Sequence, residues 1–221
     1  LTTKGRLVLI VRNNNPPFRP CFRTFAAAMS TKSFLWCRMH RRLQLVAFAL
    51  CMLLGSNAMA QPDKTYASLE EALKTPELVY RLELRYNGLT RLPDSFARFL
   101  NLRRLDLRGN LLTSLPENFG MLRQLEELNL SGNKISSLPA SLAMLQKLRV
   151  LNLSFNQLTA LPEDLGSLQQ LEILQLSGNN LQGLPPSFTQ LSQLLIFEHS
   201  HNPKLVFSPA IRHFLQQRHL H

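Results

Sequence analysis

Histidine is the residue type whose spacing most invites a chemical role in this chain of 221 residues. Five of its six histidines fall near the carboxyl end, at His199, His201, His213, His219 and His221. Imidazole binds zinc well, but a zinc site needs three or four ligands that converge on one point. Only the first two histidines, two residues apart, could share a strand face. The spacing predicts a polar end of the domain, and we expect no metal and no cofactor.

Catalytic motifs do not occur in the sequence. It lacks the phosphate-binding G-x-x-x-x-G-K-[ST], the nucleophile elbow G-x-S-x-G and the zinc-protease H-E-x-x-H. Its three cysteines, Cys21, Cys37 and Cys51, all lie in the first sixty residues, so the remainder can form no disulfide and holds no cysteine nucleophile. We therefore expect no catalytic residues and predict that the protein is not an enzyme.

Residues 39–60, MHRRLQLVAFALCMLLGSNAMA, have the three parts of a secretory signal peptide in order. Arg41 and Arg42 form the basic part, an apolar stretch follows from Leu43 to Leu54, and Ala58-Met59-Ala60 forms the cleavage site. A helix of twelve residues rises about 18 Å, too little for a bilayer core of about 30 Å. We predict export with cleavage before Gln61 and no stable membrane span afterwards. A buried core helix is the alternative for this segment.

The positive charge of the chain lies almost entirely before that cleavage site. The net charge is +11, but residues 1–60 hold nine Lys or Arg and no acidic residue, whereas residues 61–221 hold sixteen basic and fourteen acidic residues. Residues 1–38 are interpreted as an upstream extension, with the true start at Met29 or Met39, or as a basic targeting leader. Because the remainder is nearly neutral, nucleic-acid binding is not expected.

A repeat of 23 residues fills most of the remaining chain. Its six units begin at Val79, Leu102, Leu125, Leu148, Leu171 and Leu194. Leucines at positions 1, 4 and 6 alternate as in a strand with one buried face. Position 9 is asparagine in every unit: Asn87, Asn110, Asn133, Asn156, Asn179 and Asn202.

This pattern, L-x-x-L-x-L-x-x-N-x-L-x-x-L-P, resembles the leucine-rich repeat family over residues 79–205, with the sixth unit degenerate. The resemblance implies an α/β solenoid: a short arc with a parallel concave sheet and an irregular or short-helical convex side. It also implies that the asparagine side chains turn inward and satisfy backbone groups, since an unsatisfied buried amide costs about 1–3 kcal/mol. These leucines and asparagines are expected to be structural.

Helical caps are predicted at both ends of the arc. Residues 61–78 are interpreted as a linker and capping helix, because Ser68 and Glu71 form an S-x-x-E capping box. Residues 206–221 are interpreted as a second cap, in which an amphipathic stretch from Ala210 to Leu215 covers the last repeat. Such caps are needed because an open solenoid exposes its core and a strand edge.

The concave face is the predicted binding surface, and positions 3, 5, 7 and 8 of each unit are expected to form its columns. Its amino-terminal third carries arginines beside acidic residues, and its carboxyl-terminal half is apolar and rich in serine, with Val150, Phe155, Ile173 and Ile196 expected to be exposed. The candidate binding residues are Arg81, Arg85, Tyr86, Arg104, Arg108, Val150, Phe155, Ile173 and Ile196. For the charged third, the alternative is a surface ladder of ion pairs that contributes little.

The sequence as a whole predicts an exported, monomeric, non-enzymatic protein that binds a protein partner through its concave face. One alternative is a cytoplasmic scaffold or signalling adaptor of the same fold. Another is a binder of glycan or anionic polymer at Arg85, Arg104 and Arg108, which would show strong salt dependence.

Overall fold

The computed structural model describes residues 64–220 as a series of short elements. Seven strands follow one another, and two α-helices lie near the ends of the series. The strands are β1 (Thr65–Tyr66), β2 (Arg81–Glu83), β3 (Arg104–Asp106), β4 (Glu127–Asn129), β5 (Val150–Asn152), β6 (Ile173–Gln175) and β7 (Ile196–Glu198). The helices are α1 (Leu69–Ala72) and α2 (Pro209–Gln217). The 3₁₀ helices are Pro76–Leu78, Asp94–Arg98, Glu117–Met121, Ala140–Met144, Glu163–Ser167 and Pro186–Gln190.

All seven strands are parallel and form one open sheet in chain order. From β2 onward each residue pairs with the residue 23 positions later, so Arg81 pairs with Arg104 and Val150 pairs with Ile173. With strands about 4.8 Å apart, the sheet is roughly 29 Å wide. Strand β1 was not predicted, because it lies in the segment read as linker and capping helix. Tyr66 is buried and pairs with Leu82 of β2, so β1 extends the front of the sheet by one strand.

The core is a continuous stack of leucines between the sheet and the 3₁₀ helices. Position 4 of every repeat unit lies at the middle of a strand, from Leu82 in β2 to Phe197 in β7, and is buried each time. Each of the 3₁₀ helices on the convex side from Asp94–Arg98 onward buries one phenylalanine or leucine against the strands. The rings of Phe96 and Phe119 stack at 6.4 Å between centres. The parallel concave sheet and short-helical convex side predicted from the sequence are therefore confirmed.

Both ends carry the helices that the sequence predicts. Ser68 caps α1 by accepting a hydrogen bond from the backbone N–H of Glu71 at 3.4 Å. Ser208 caps α2 in the same way, through the N–H of Ile211. Helix α2 packs its apolar side on the last 3₁₀ helix, where Phe214 meets Phe188 edge to face at 5.8 Å.

The asparagines at position 9 hold consecutive turns of the solenoid together. Asn156 is typical, since its amide donates to the carbonyls of Leu130 and Leu153 at 3.0 Å and its oxygen accepts from the N–H of Ile135 at 3.0 Å. Asn87 departs from the prediction because its side chain is exposed. The carbonyl acceptors of each ladder asparagine lie partly in the preceding turn, and no complete repeat turn precedes Asn87 within the described residues.

Two predicted segments lie outside the described residues: the upstream extension 1–38 and the signal peptide 39–60. Between residues 64 and 220, no helix has both the length and the apolar character needed to cross a membrane.

Candidate functional site

The strands place the predicted binding residues in rows across the concave face. Positions 3 and 5 of each unit lie within the three-residue strands, and positions 7 and 8 follow each strand. Neighbouring residues in a row therefore come from sequence positions 23 apart. The charged third and the apolar half that the sequence predicts occupy opposite ends of this face.

Ion pairs link most of the charged side chains in the amino-terminal third of the concave face. Arg85 contacts the carboxylate of Glu83 at 3.1 Å and that of Asp106 at 2.7 Å. Arg104 contacts Glu127 on the next strand at 3.0 Å. Apart from Asp106, which is 16% exposed, these side chains are 39–50% exposed, so the pairs contribute little to stability. Their main effect is to neutralise Arg85 and Arg104, two of the three arginines that the sequence offers as a glycan or polyanion site.

Arg108 differs from these arginines because its guanidinium donates no hydrogen bond within residues 64–220. Its Nε atom is shut off from solvent and has no acceptor. The carboxylate beside it is already occupied: Asp106 accepts the backbone N–H of Arg108 through Oδ1 and the Nε of Arg85 through Oδ2. The guanidinium lies near the ring of Tyr86, with Cζ 5.7 Å from the ring centre.

The apolar half contains one continuous row across the last three strands. Val150 pairs with Ile173 and Ile173 pairs with Ile196. Val150 and Ile173 are half-buried, not exposed as predicted, because side chains in adjacent strands of a row cover one another; Ile196 at the sheet edge is 45% exposed. The row therefore offers a narrow apolar strip and not a broad patch.

Position 8, which holds Tyr86 and Phe155, lies in the turn after each strand, and its backbone is left-handed in every unit. Both residues have positive φ, 54° and 58°, and so does His201 at 57°. The other three units place Gly109, Gly132 and Gly178 there, with φ between 65° and 70°. Left-handed backbone strains any residue that has a Cβ, which explains the glycines and makes the aromatic residues unusual.

The two aromatic rings lie over glycines of the following unit. A Cβ at Gly178 would come within 2.7 Å of the Phe155 ring, and a Cβ at Gly109 would overlap the Tyr86 ring. Gly132 lies between them, and no ring covers it. Tyr86 and Phe155 are 70% and 66% exposed, so burial of their rings contributes little to the stability of the fold.

Tyr86, Phe155, Gly109 and Gly132 line a groove of about 670 Å³ along the ends of the strands. Its floor is small and polar, formed largely by Gly132, Ser131 and Ser154; Arg108 lies toward its amino-terminal end and Glu198 toward its carboxyl-terminal end. A second hollow of about 300 Å³ lies over the strand rows and includes the paired Arg85 and Arg104. The first groove combines exposed rings, a smooth floor and an unpaired guanidinium, which makes it the stronger candidate site.

A further row, at position 2 of each unit, was missed from the sequence. It runs Tyr80, Arg103, Glu126, Arg149, Glu172 and Leu195. Arg103 and Glu126 approach to 3.8 Å, and Arg149 donates two hydrogen bonds to Glu172 at 2.9 and 2.8 Å. The alternation of charge at intervals of 23 residues could have revealed it. The row ends at Leu195, which is 67% exposed.

The Arg149–Glu172 contact also shifts acid–base equilibria. The hydrogen bonds from Arg149 hold the pKa of the Glu172 carboxyl below its ordinary value. The same contact raises the pKa of Arg149. Both groups are therefore charged at neutral pH, and the row is a ladder of opposite charges.

The histidines do not converge as metal ligands within the described residues, where no cluster of three or more metal-binding side chains occurs. His199 packs among aromatic rings, 4.9 Å from Phe197 and 5.1 Å from Phe207. His201 instead lies in the left-handed turn after β7. The expectation that these two could share a strand face is therefore wrong.

Comparison with known families identifies the repeat. A family model described as leucine rich repeat matches residues 77–135, 124–181 and 146–203, which together span more than half of the chain. A comparison with curated protein sequences gives no match.

Solved structures with similar folds include receptor ectodomains. The leucine-rich repeat ectodomain of the receptor kinase SOBIR1 from Arabidopsis thaliana is 30% identical, with a TM-score of 0.52, over 57% of this chain and 72% of that chain. The ectodomain of the plant membrane receptor kinase GASSHO1/SCHENGEN3 from Arabidopsis thaliana, in complex with CASPARIAN STRIP INTEGRITY FACTOR 2, is 33% identical, with a TM-score of 0.54. That match covers 65% of this chain but only 17% of the ectodomain. The functional domain of InlJ from Listeria monocytogenes, at 22% identity and a TM-score of 0.54 over 61% and 28% of the two chains, is similar in fold alone.

Proposed function

Because the chain belongs to the leucine-rich repeat family, we propose that it is a non-enzymatic module that binds a protein partner through the groove and apolar row of its concave face. The fold supplies a rigid scaffold, since each repeat packs only on its neighbours through leucines and asparagines. Those residues are occupied in holding the solenoid together. Recognition is therefore assigned to the side chains that project from the sheet.

The observation that carries this proposal is the exposed ring of Phe155 on a left-handed backbone. A left-handed conformation costs a residue with a Cβ about 1–2 kcal/mol, and glycine at the same position in neighbouring units avoids that cost. Burial does not offset it, because the side chain is 66% exposed. Strained backbone persists where the surrounding structure imposes it, and it clusters at active sites and ligand-binding sites. Exposed aromatic residues are also frequent centres of protein interfaces.

Export is the second part of the proposal. It rests on the signal-peptide pattern of residues 39–60 and on the similarity to ectodomains of receptor kinases. Expression of the full chain followed by mass spectrometry of the mature protein tests it. A mature amino terminus at Gln61 in the exported fraction supports export, and an uncleaved chain in the cytoplasm supports the cytoplasmic adaptor instead.

Binding of a glycan or anionic polymer is less well supported. Arg85 and Arg104 are already paired with carboxylates. A polyanion would have to displace those carboxylates and would also be repelled by them.

The experiment that tests the binding surface compares three variants in quantitative affinity capture. Phe155→Gly and Ile173→Asp remove the groove ring and interrupt the apolar row. Leu100→Ala is the control, because Leu100 is 53% exposed but lies beyond the 3₁₀ helix Asp94–Arg98, away from the concave face. A partner held by the wild type should be lost with the first two variants and kept with the control. Equal recovery by all three would show that the concave face is not the binding surface.

A further inference from the structure

We infer that Arg108 is the point in this groove at which one carboxylate of the partner binds, either an acidic side chain or a carboxyl terminus. The inference rests on the proposed function, and it names the chemistry of the partner at one end of the same groove.

The unsatisfied guanidinium is the first reason. A buried donor without an acceptor costs about 1–3 kcal/mol, so such groups are rare unless a ligand completes them. The Nε of Arg108 is one of only two buried side-chain polar atoms without a partner in the described part of the chain. The backbone of Arg108 is held in place by Asp106, which accepts its N–H at 3.0 Å. The backbone of Arg108 is therefore fixed, whereas its guanidinium forms no ion pair with a carboxylate within residues 64–220.

The surroundings of Arg108 are the second reason. Ser131, Gly132 and Ser154 continue the groove away from it toward Phe155, 47 residues later in the chain. The Tyr86 ring flanks the guanidinium, with Cζ 5.7 Å from the ring centre, and an arginine guanidinium binds a carboxylate through two parallel hydrogen bonds. Because Nε is shut off from solvent, a carboxylate reaches it only if a neighbouring side chain moves; Tyr86 flanks the guanidinium and is 70% exposed. An extended peptide could then place its carboxylate at Arg108 and apolar side chains beside Phe155.

Charge balance favours a single carboxylate over a polyanion. The concave rows carry four arginines, at Arg81, Arg85, Arg104 and Arg108. They also carry four acidic residues, at Glu83, Asp106, Glu127 and Glu198. The face as a whole is thus neutral, which disfavours the long-range attraction that polyanion binding requires. One positioned guanidinium in a neutral face suits one carboxylate.

The direct test uses acetate as the probe and the Arg Nε–Hε resonances of the purified protein as the readout. Sodium acetate is titrated at constant ionic strength, and acetamide, its neutral analogue, is titrated in parallel. The resonance of Arg108, assigned with the Arg108→Lys variant, should shift saturably with acetate and stay constant with acetamide. Arg85 is the internal control, because its Nε already donates to Asp106 at 2.7 Å. Equal, unsaturable shifts at Arg108 and Arg85, or an equal response to acetamide, would overturn the inference.

A peptide selection distinguishes the two sources of the carboxylate. Random decapeptides are displayed once with a free carboxyl end and once with that end fused. Acidic residues enriched in both formats indicate a side chain, and enrichment confined to the last residue of the free format indicates the terminal carboxylate. An oligosaccharide of uronic acids that shifts Arg108 at lower concentration than the selected acidic peptides would overturn the assignment to a protein ligand.

Variants separate failure of this inference from failure of the proposed function. Selection on Arg108→Gln should lose the acidic preference by at least tenfold and keep the apolar preference, and selection on Phe155→Gly should do the reverse. An apolar preference that depends on Phe155, without any acidic preference, would refute the role of Arg108 and leave the binding groove intact. An acidic preference that depends on Arg108 alone would refute the role of Phe155. If no sequences are selected, the acetate titration decides the matter for Arg108.

Discussion

Two substitutions at Phe155, one to glycine and one to alanine, should separate the backbone strain at this position from the binding role of its ring. Both variants remove the ring and its contact with Gly178, so that loss is the same in each. They differ in the Cβ atom, which alanine keeps and glycine lacks. With φ at +58°, the alanine variant retains the left-handed strain and the glycine variant does not.

The expected difference follows from two opposing free energies. Left-handed backbone disfavours alanine by about 1–2 kcal/mol. Glycine loses more chain entropy on folding, which disfavours it by about 0.5–1 kcal/mol. The glycine variant should therefore be more stable by about 0.5–1 kcal/mol, or about 1–4 °C in Tm for a domain of this size. At an ordinary strand position the alanine variant should be the more stable of the two, because no left-handed strain is present and only the larger entropy loss of glycine on folding remains.

Chemical denaturation of both variants measures the difference, and Val150 supplies the matched control. Val150 is the first residue of strand β5 on the same face, and there alanine should be more stable than glycine by about 0.5–1 kcal/mol. The two positions should thus show opposite signs, whereas partner binding should be equally weak in both Phe155 variants. An alanine variant at Phe155 as stable as the glycine variant, or more stable, would refute the strained conformation and the functional argument built on it.

Three further predictions concern the scaffold. Asn156→Ala should lower the free energy of unfolding by about 2–4 kcal/mol, because it leaves one N–H and two carbonyls without their partner. As the control, substitution of the exposed Asn87 by alanine should change the free energy of unfolding by less than about 0.5 kcal/mol. Urea denaturation of both variants tests this. Arg149→Gln should raise the pKa of Glu172 toward its ordinary value, which NMR of the carboxyl group follows. Because the folded-state pKa of Glu172 is depressed, its contribution to stability is present above the unfolded-state pKa of about 4.3 and is lost as the pH falls through the folded-state pKa. The stability of the variant should not show this loss. Ser208→Ala should cost about 1 kcal/mol through loss of the helix cap, measured as a lower Tm, and an unchanged Tm would mean that the cap contributes nothing.

Much of the fold could be predicted from the sequence because a solenoid is nearly one-dimensional. Each unit contacts only its neighbours, so a residue's lateral partner lies one repeat length away along the chain. The rows Arg81–Arg104 and Val150–Ile173–Ile196 could be predicted for that reason, and the structure pairs them. Helix caps are local as well, since Ser68 and Ser208 bond to groups three residues later. The strand at Thr65–Tyr66 carries no repeat signature, so only its pairing with β2 revealed it.

The candidate site depended on features that spacing alone does not encode. Positions 7 and 8 could be placed beside the strands from the repeat, but the positive φ at Tyr86 and Phe155 emerges only from the turn that follows each strand. The sequence also makes the arginines look alike. Asp106 uses one oxygen for Arg85 and the other for the backbone of Arg108, and that three-dimensional arrangement leaves the Arg108 guanidinium without an acceptor. The repeat thus determined which residues share a face, because strand pairing propagates the period. The tertiary structure decided which of them remain available to a ligand, because hydrogen-bond occupancy depends on the exact directions of side chains in neighbouring turns.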